Sequence, residues 1–389
     1  MYWFSRKKKN EPAMPGLILP GGGARNAYQA GVLKAIAEIL PDDTTNPFPV
    51  ICGTSSGALN AAILASNATR FSEGVTRLTG IWENFSCDKI FYTDAWTAIK
   101  SGARWAAAFV TASLGTSSPR ALLDNSPQRS FIESHIRLAR IQHAIDSGAL
   151  RALAITASSY SSGHSISYFQ GVDGLLPWQR TRRFGIEEEI SIDHLMASSA
   201  IPLVFPAVWL NNEYHGDGSM RESTPLSPAL HLGANRLLII GVRNPTPDTA
   251  PLAGASVPYP SIGQITGYML DTLFMDSLDA DIERMNRINH MLTEVPDKRV
   301  ELDDTTLRPI EFLAISPSRD VREIAQRHAV DFPRSVRLLL KGLGALTQEG
   351  RPLVSYLLFE PGFCRELMEL GYRDGLTAQE EIRELLLSE

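Results

Sequence analysis

Cysteine is scarce in this chain: Cys52, Cys87 and Cys364 are the three in 389 residues. They are widely spaced and contain no C-x-x-C pair, so the sequence predicts neither a disulfide framework nor a zinc site, and a reducing compartment fits. Basic charge is also short, with 37 Lys and Arg against 43 Asp and Glu and a formal net charge of -6. A nucleic-acid binder would normally carry a strongly basic face or stripe, so nucleic acid is not expected as a partner. The eight histidines are scattered singly, without an H-E-x-x-H pattern, and are read as surface or satisfied core residues. No metal and no cofactor are predicted.

Long apolar runs are missing too. The longest such stretch, residues 105–114, is interrupted by Thr111 and Ser113 and falls far short of the ~20 residues that span a bilayer. Residues 3–9 pass from aromatic to basic, but Asn10-Glu11-Pro12 follows where a secretory signal would need an apolar segment. A cytoplasmic location is therefore expected. The aromatic and basic residues 3–9 could add a salt-sensitive peripheral contact with an anionic inner membrane face, or remain a solvated tail. There is no internal repeat and no low-complexity tract.

What is present is an ordinary globular composition, 44% hydrophobic and 21% charged. Gly16-Leu17-Ile18-Leu19-Pro20 is a short apolar run, followed by three glycines and then helical spacing over 27–40. Val50-Ile51-Cys52 leads in the same way through Gly53-Thr54-Ser55-Ser56-Gly57 into an Ala/Leu-rich helix over 58–64. Further strands are predicted at 153–157, 165–169, 237–242 and 310–315, with helices at about 127–147, 225–232 and 262–295 and a mainly helical end from 319 onward. Strands alternating with helices predict a mixed or parallel sheet covered on both faces. Pro245, Pro247, Pro251, Pro258 and Pro260 mark a long loop without periodicity.

Three motifs carry chemistry. Gly53-Thr54-Ser55-Ser56-Gly57 matches G-x-S-x-G, a strand-to-helix turn so sharp that small residues must flank the serine. Ser55 would stand at a helix N-terminus, where free N–H groups favour developing negative charge. Alone, the match has roughly even odds of arising by chance among 29 glycines. Gly21-Gly22-Gly23-Ala24-Arg25-Asn26 also follows a strand and opens a helix. Such a glycine run can be an oxyanion hole, a phosphate cradle or a plain turn. A dinucleotide loop competes, because Gly21-x-Gly23-x-x-Asn26 is one residue short of G-x-G-x-x-G and Asp42 lies about 20 residues on. The third motif, His215-Gly216-Asp217-Gly218-Ser219, puts a glycine-flanked carboxylate on a tight loop, either as a turn or aimed at a site. Too little chain precedes Ser55 for an α/β-hydrolase, in which several strands come before the nucleophile.

Taken together and in this order, Gly21-Gly22-Gly23-Ala24-Arg25, Gly53-Thr54-Ser55-Ser56-Gly57 and Asp217-Gly218-Ser219 resemble the patatin-like phospholipases. Ala197-Ser198-Ser199-Ala200-Ile201-Pro202 with Phe205-Pro206 resembles the family's segment before its aspartate, so the likeness covers roughly residues 16–243. The resemblance implies a three-layer α/β patatin-like fold, with a central mostly parallel sheet, helices on both faces and a helical C-terminal extension. It divides the chain into a flexible tail 1–14, a catalytic domain 15–243, a proline-rich loop 244–262 and a mainly helical region 263–389.

The same resemblance implies a metal-independent serine esterase acting on lipid or phospholipid acyl esters through a Ser55–Asp217 dyad without histidine. Gly21, Gly22 and Gly23 would hold the oxyanion. Arg25 would lend positive charge nearby, or else form a structural salt bridge. Asn26 stands where the family usually has glycine, a change tolerable if Asn26 enters the left-handed region, and Ser219 replaces a usual glycine or alanine. Asp217 should be buried so that its pKa rises. The competing readings are a nucleotide-binding regulator using the glycine loop and a weakly active membrane-associated scaffold.

Overall fold

The computed structural model describes residues 12–41, 43–93, 121–244, 259–295, 300–302, 305–347 and 350–388. The tail 3–9, the apolar stretch 105–114 and most of the proline-rich loop, 245–258, lie outside the described residues.

The strands in chain order are β1 (Pro15–Leu19), β2 (Val50–Thr54), β3 (Ala152–Ser159), β4 (Ser165–Gly171), β5 (Trp178–Arg180), β6 (Arg183–Glu187), β7 (Val208–Leu210), β8 (Glu213–Asp217), β9 (Arg236–Ile240), β10 (Val300–Leu302), β11 (Thr305–Leu307) and β12 (Glu311–Ile315). Ten of them form one sheet in the order β12-β9-β1-β2-β3-β4-β6-β5, with β8 added on β3 and β7 on β8. From β12 to β3 every pairing is parallel. Beyond β3 the antiparallel pairs β3–β4, β3–β8, β7–β8 and β5–β6 enter, and β4–β6 is parallel again. The sheet is thus mostly parallel.

Strand alternation explains why the central strands read as unbroken apolar runs. Leu17, Leu19, Ile51, Leu153, Ile155, Leu238 and Leu313 belong to the core on one face. Ile18, Val50, Cys52, Ala154, Leu237, Ile239 and Phe312 belong to the core on the other. A strand covered on both faces has no solvent side, so its polar positions vanish. The first core is covered by helices Ala27–Ile39, Ser56–Ala65, Phe71–Glu83 and Pro361–Thr377, the second by Ser227–His231 and Ser277–Thr293.

The last third of the chain builds onto this sheet. The run at 310–315 forms β12, in parallel register with β9 from Glu311↔Arg236 to Ile315↔Ile240. Helix Pro361–Thr377 lies against Ala27–Ile39 at glycine-to-backbone distance. A Cβ on Gly31 would come within 2.0 Å of the Met368 carbonyl oxygen, and one on Gly371 within 2.2 Å of that of Tyr28.

Three local expectations change. The helix predicted at 127–147 is two, Ser126–His135 and Ala139–Asp146, with Ile136 extended between them. The His135 carbonyl that a continuous helix would pair within itself instead accepts from Arg77 Nε and Nη2 at 3.1 and 2.7 Å. The pattern at 262–295 is interrupted by a π-helical turn, Thr272–Asp276, between Ile262–Asp271 and Ser277–Thr293. That turn buries Phe274 against the Tyr356 ring at 5.1 Å between centroids. Finally, β5 to β8 had no strong apolar run to announce them, and Asp217, read as a loop residue, is the last residue of β8.

Candidate active site

In an open α/β sheet, ligands gather outside the carboxyl ends of the parallel strands. The turns after β1 and β2 both lie at that edge. β1 runs out into Pro20, Gly21 and Gly22 and then a 3-10 turn, Gly23–Asn26. β2 runs into Ser55 and the helix Ser56–Ala65.

Ser55 adopts φ 56° and ψ −130°, a region that residues with a Cβ rarely occupy and that costs of order 1–3 kcal/mol where the surroundings enforce it. The surroundings here are tight. A Cβ on Gly57 would fall 2.0 Å from the Leu19 carbonyl oxygen, so only glycine lets the new helix pass under the end of β1. The Ser55 N–H donates to Ser198 Oγ at 2.9 Å, and Ser198 Oγ donates to the Thr156 carbonyl at 2.6 Å.

Register brings the carboxylate in. Thr54 of β2 pairs with Thr156 of β3, and the next residue of β3, Ala157, pairs with Asp217 of β8. β4 holds the other edge of β3, so Ser55 and Asp217 come together on one edge although 162 positions separate them, and Ser55 Oγ donates to Asp217 Oδ2 at 2.6 Å. No imidazole intervenes. Asp217 Oδ1 accepts the Ser219 N–H at 3.0 Å, and the Asp217 N–H donates to the Ala200 carbonyl at 2.9 Å. Both side chains are buried, Ser55 at 2% and Asp217 at 1% exposure. Burial raises the Asp217 carboxyl to about 6, against the lowering effect of its bonds from Ser55 and Ser219.

The glycine loop comes close to the same place. Gly23, at φ +58°, shares with Ser55 and Ser56 a small cavity of about 20 Å³. Its walls are mostly apolar, with Leu59, Trp82, Phe85, Ile201, Phe205 and Phe359, and Gln128 and Ser199 are the polar side chains beside them. Gly21 is pressed between Phe274 and Ser219, each 2.8 Å from where its Cβ would lie.

Arg25 is 1% exposed and faces the C-terminal third. Its Nη1 lies 2.9 Å from Asp271 Oδ1, its Nε donates to Ser355 Oγ at 2.9 Å, and its guanidinium stacks over the Tyr356 ring at 3.8 Å. Asn26 is right-handed, at φ −70° and ψ −6°. The left-handed tolerance invoked for it is not used. Its amide instead donates to the Pro20 carbonyl at 2.8 Å and to Gln29 Oε1 at 3.0 Å, pinning the loop to the helix that follows.

Sequence reading missed several residues of this neighbourhood. Ser198 orients the elbow, and Glu222 is a second buried carboxyl, accepting from Thr54 Oγ1 at 2.7 Å. Burial pushes Glu222 up to about 7. Gln29 and Asn60 bond each other at 2.9 Å, and Trp82 Nε1 donates to Asn60 Oδ1 at 2.9 Å. The available signal was a polar residue in the middle of an otherwise apolar helix, as Asn60 is between Leu59 and Ala61. His215, two residues before Asp217, is tied to the Tyr168 hydroxyl at 3.0 Å.

A family model described as patatin-like phospholipase matches residues 17–230, more than half of the chain. The chain belongs to the patatin-like phospholipase family. The match spans the glycine loop, the elbow and Asp217 of this patatin-like phospholipase. Over 88 residues it is 36% identical to the lysophospholipase nte1 of Aspergillus terreus, a stretch covering 21% of this chain and 5% of that protein. Two structures of human GIVD cytosolic phospholipase A2 with methyl gamma-linolenyl fluorophosphonate, one also with terbium chloride, align with TM-scores of 0.43. They are 12% and 15% identical and cover 96% and 98% of this chain and 59% and 60% of theirs. Among the described residues, no helix is long and apolar enough to cross a membrane.

Proposed function

We propose that this member of the family hydrolyses acyl esters of lipids, with Ser55 as nucleophile and Asp217 as base. The observation that carries the reading is the 2.6 Å hydrogen bond from a strained, buried serine to a buried aspartate. Ser55 Oγ attacks the ester carbonyl as its proton passes to Asp217, and the carbonyl oxygen becomes an oxyanion. Backbone N–H groups of Gly21, Gly22 and Gly23 receive that charge, and one such donor is worth about 10²–10³ in rate. Collapse of the intermediate expels the alkoxide, which takes the proton back from Asp217. Water, deprotonated by Asp217, then attacks the acyl carbonyl, and Asp217 returns the proton to Ser55 Oγ as the fatty acid leaves.

A base with a pKa of about 6 is ionised at neutral pH yet basic enough to accept the proton. The scheme needs no metal. The apolar cavity beside Ser55 is the place for the acyl chain. Arg25 serves as the anchor that ties the glycine loop to Asp271 and Tyr356, in a catalytic domain of residues 15–243 braced by the region 263–389.

A fluorophosphonate probe tests the reading. It should label wild-type protein at Ser55 and leave Ser55→Ala unlabelled. Equal labelling of both proteins would remove Ser55 as the nucleophile and leave a regulator or scaffold.

A further inference from the structure

One buried carboxyl beside the dyad takes no part in the steps above. Beyond Asp217 the chain enters a 3-10 turn, Gly218–Met220, and soon reaches Glu222, which is 8% exposed. The Glu222 N–H donates to the Gly218 carbonyl at 3.2 Å and so closes this turn. Its Oε2 accepts from Thr54 Oγ1 at 2.7 Å, across 168 positions of the chain. Thr54 is the last residue of β2, immediately before Ser55. The main chain of Glu222 is therefore bonded to the turn that follows Asp217, and its side chain to the strand end that carries Ser55.

The turn itself is pressed onto the strands. A Cβ on Gly218 would lie 2.2 Å from the Thr156 carbonyl oxygen and 2.7 Å from Thr54 Cγ2, and the Gly218 carbonyl accepts from Ser158 Oγ at 2.9 Å. The Glu222 carboxyl also takes the Thr156 hydroxyl. The Thr156 carbonyl in turn holds Ser198, on which the Ser55 N–H rests. Two routes thus lead from Glu222 to Ser55, one through Thr54 and one through Thr156. Burial lifts the Glu222 carboxyl to about 7 against its bonds from Thr54 and Thr156, and Asp217 adds to the rise. Much of it therefore stays neutral beside an ionised Asp217. An unfavourable backbone such as that of Ser55 persists only where its surroundings over-determine it, and a misplacement of about 1 Å between reacting groups costs about 100-fold in rate.

We infer that Glu222 is a positioning residue of the dyad, clamping the Thr54 end of β2 to the turn after Asp217 so that Ser55 Oγ stays within proton-transfer reach of Asp217. The inference rests on the Ser55–Asp217 reading proposed above. Glu222 acts through Thr54 and not on the ester. The clamp requires an acceptor oxygen at this place, and the side-chain carbonyl of glutamine supplies one. The glutamine amide can then donate to the Thr156 hydroxyl, which has Ser167 Oγ 3.0 Å away for its own proton.

The test compares full-length wild type with Thr54→Val, Glu222→Leu, Glu222→Gln and the double variant Thr54→Val/Glu222→Leu. Each is assayed for hydrolysis of p-nitrophenyl butyrate and for its rate of reaction with a fluorophosphonate, and thermal melts show which are folded. Thr54→Val and Glu222→Leu should each lower kcat about ten-fold or more and slow the fluorophosphonate in proportion, with KM held within about two-fold. The double variant should be no slower than the slower single one, because both changes break one clamp. Glu222→Gln should keep kcat within about three-fold of wild type, since the amide oxygen accepts the same bond. Unchanged kcat in folded Thr54→Val and Glu222→Leu would overturn the clamp, as would losses that multiply in the double variant or that fall on KM. Glu222→Gln as slow as Glu222→Leu would overturn it too, because the acid and not the clamp would then be what matters. Should Glu222→Leu not fold, Thr54→Val and Glu222→Gln decide alone. Ser55→Ala, run alongside, separates the two readings: hydrolysis surviving there removes the dyad, whereas an inactive Ser55→Ala with an unimpaired Thr54→Val removes the clamp alone.

Discussion

Two hollows of this molecule differ in size and in how they treat charge. The one at Ser55 measures about 20 Å³, is walled by apolar side chains, and abuts a carboxylate that burial has pushed up to about 6. The other measures about 620 Å³ and keeps four guanidinium groups around its rim. A dry pocket makes a carboxylate reluctant to ionise and therefore basic, whereas an open one keeps charged groups in contact with water. Cavity volume is thus a poor guide to where bonds are broken. About 20 Å³ is room for a water but far less than a fatty acyl chain occupies. No acyl chain enters beside Ser55 until wall side chains such as Phe205 or Phe359 move.

The sharpest way to break the contrast is to remove the dry pair. Ser55→Ala and Asp217→Asn should each lower kcat by about 10³-fold or more, and the double variant should be no worse than either, since residues acting as one unit do not add. Replacing each of the eight histidines by glutamine should spare at least a few per cent of activity, whereas loss of a true general base costs ~100-fold or more. A histidine variant as inactive as Ser55→Ala, with Asp217→Asn still active, would end the dyad reading.

Arg25→Met removes one partner of a buried ion pair and should cost about 3–5 kcal/mol in denaturant unfolding, because Asp271 and the Tyr356 hydroxyl lose their cation. A change below about 1 kcal/mol would show that the C-terminal contact does not brace the loop.

Next in size is the pH dependence of stability. A folded-state carboxyl pKa raised from 3.8 to about 6 means that the native protein holds the proton more tightly than the unfolded chain. Stability from this group is therefore complete below about pH 4 and is lost as pH rises through about 6. Asp217→Asn should stabilise the fold at pH 8 by up to about 3 kcal/mol, two units at 1.36 kcal/mol each, and by little at pH 4. Wild-type kcat/KM should rise through about pH 6 as Asp217 ionises. Equal thermal shifts at both pH values would contradict a buried base with a raised pKa.

The smallest effect concerns the wall. Phe205→Ala should move the preferred acyl chain to greater length, with relative kcat/KM values changing by about ten-fold or more across a series, since each methylene is worth ~1–3 kcal/mol. An unchanged chain-length profile would place the acyl chain elsewhere.

Much of this was legible from local pattern. β1, β2 and β9 announced themselves because two-sided burial leaves no polar position, and the elbow did so because the turn admits only small residues at Gly53 and Gly57. The peripheral strands β5 to β8 were silent. They are short, and residues such as Trp209 and Tyr214 remain exposed. The break in the helix at Ile136 could not be read either, because it depends on Arg77, 58 residues earlier in the chain.

The sequence by itself determined where a reactive serine could stand and which glycines must flank it, since those demands act over a few bonds. Its order of motifs also carried the family. Only the tertiary structure decided that the carboxylate of Asp217, 162 residues on, meets Ser55 on one edge of β3 where its pairing with β2 ends and that with β8 begins, that Arg25 turns toward Asp271 and Tyr356, and that arginines from β5, β6, Ser277–Thr293 and the chain after β11 line one cavity. These are matters of strand register and helix docking, in which residues far apart in the chain are brought together by the burial of surfaces that no local pattern specifies.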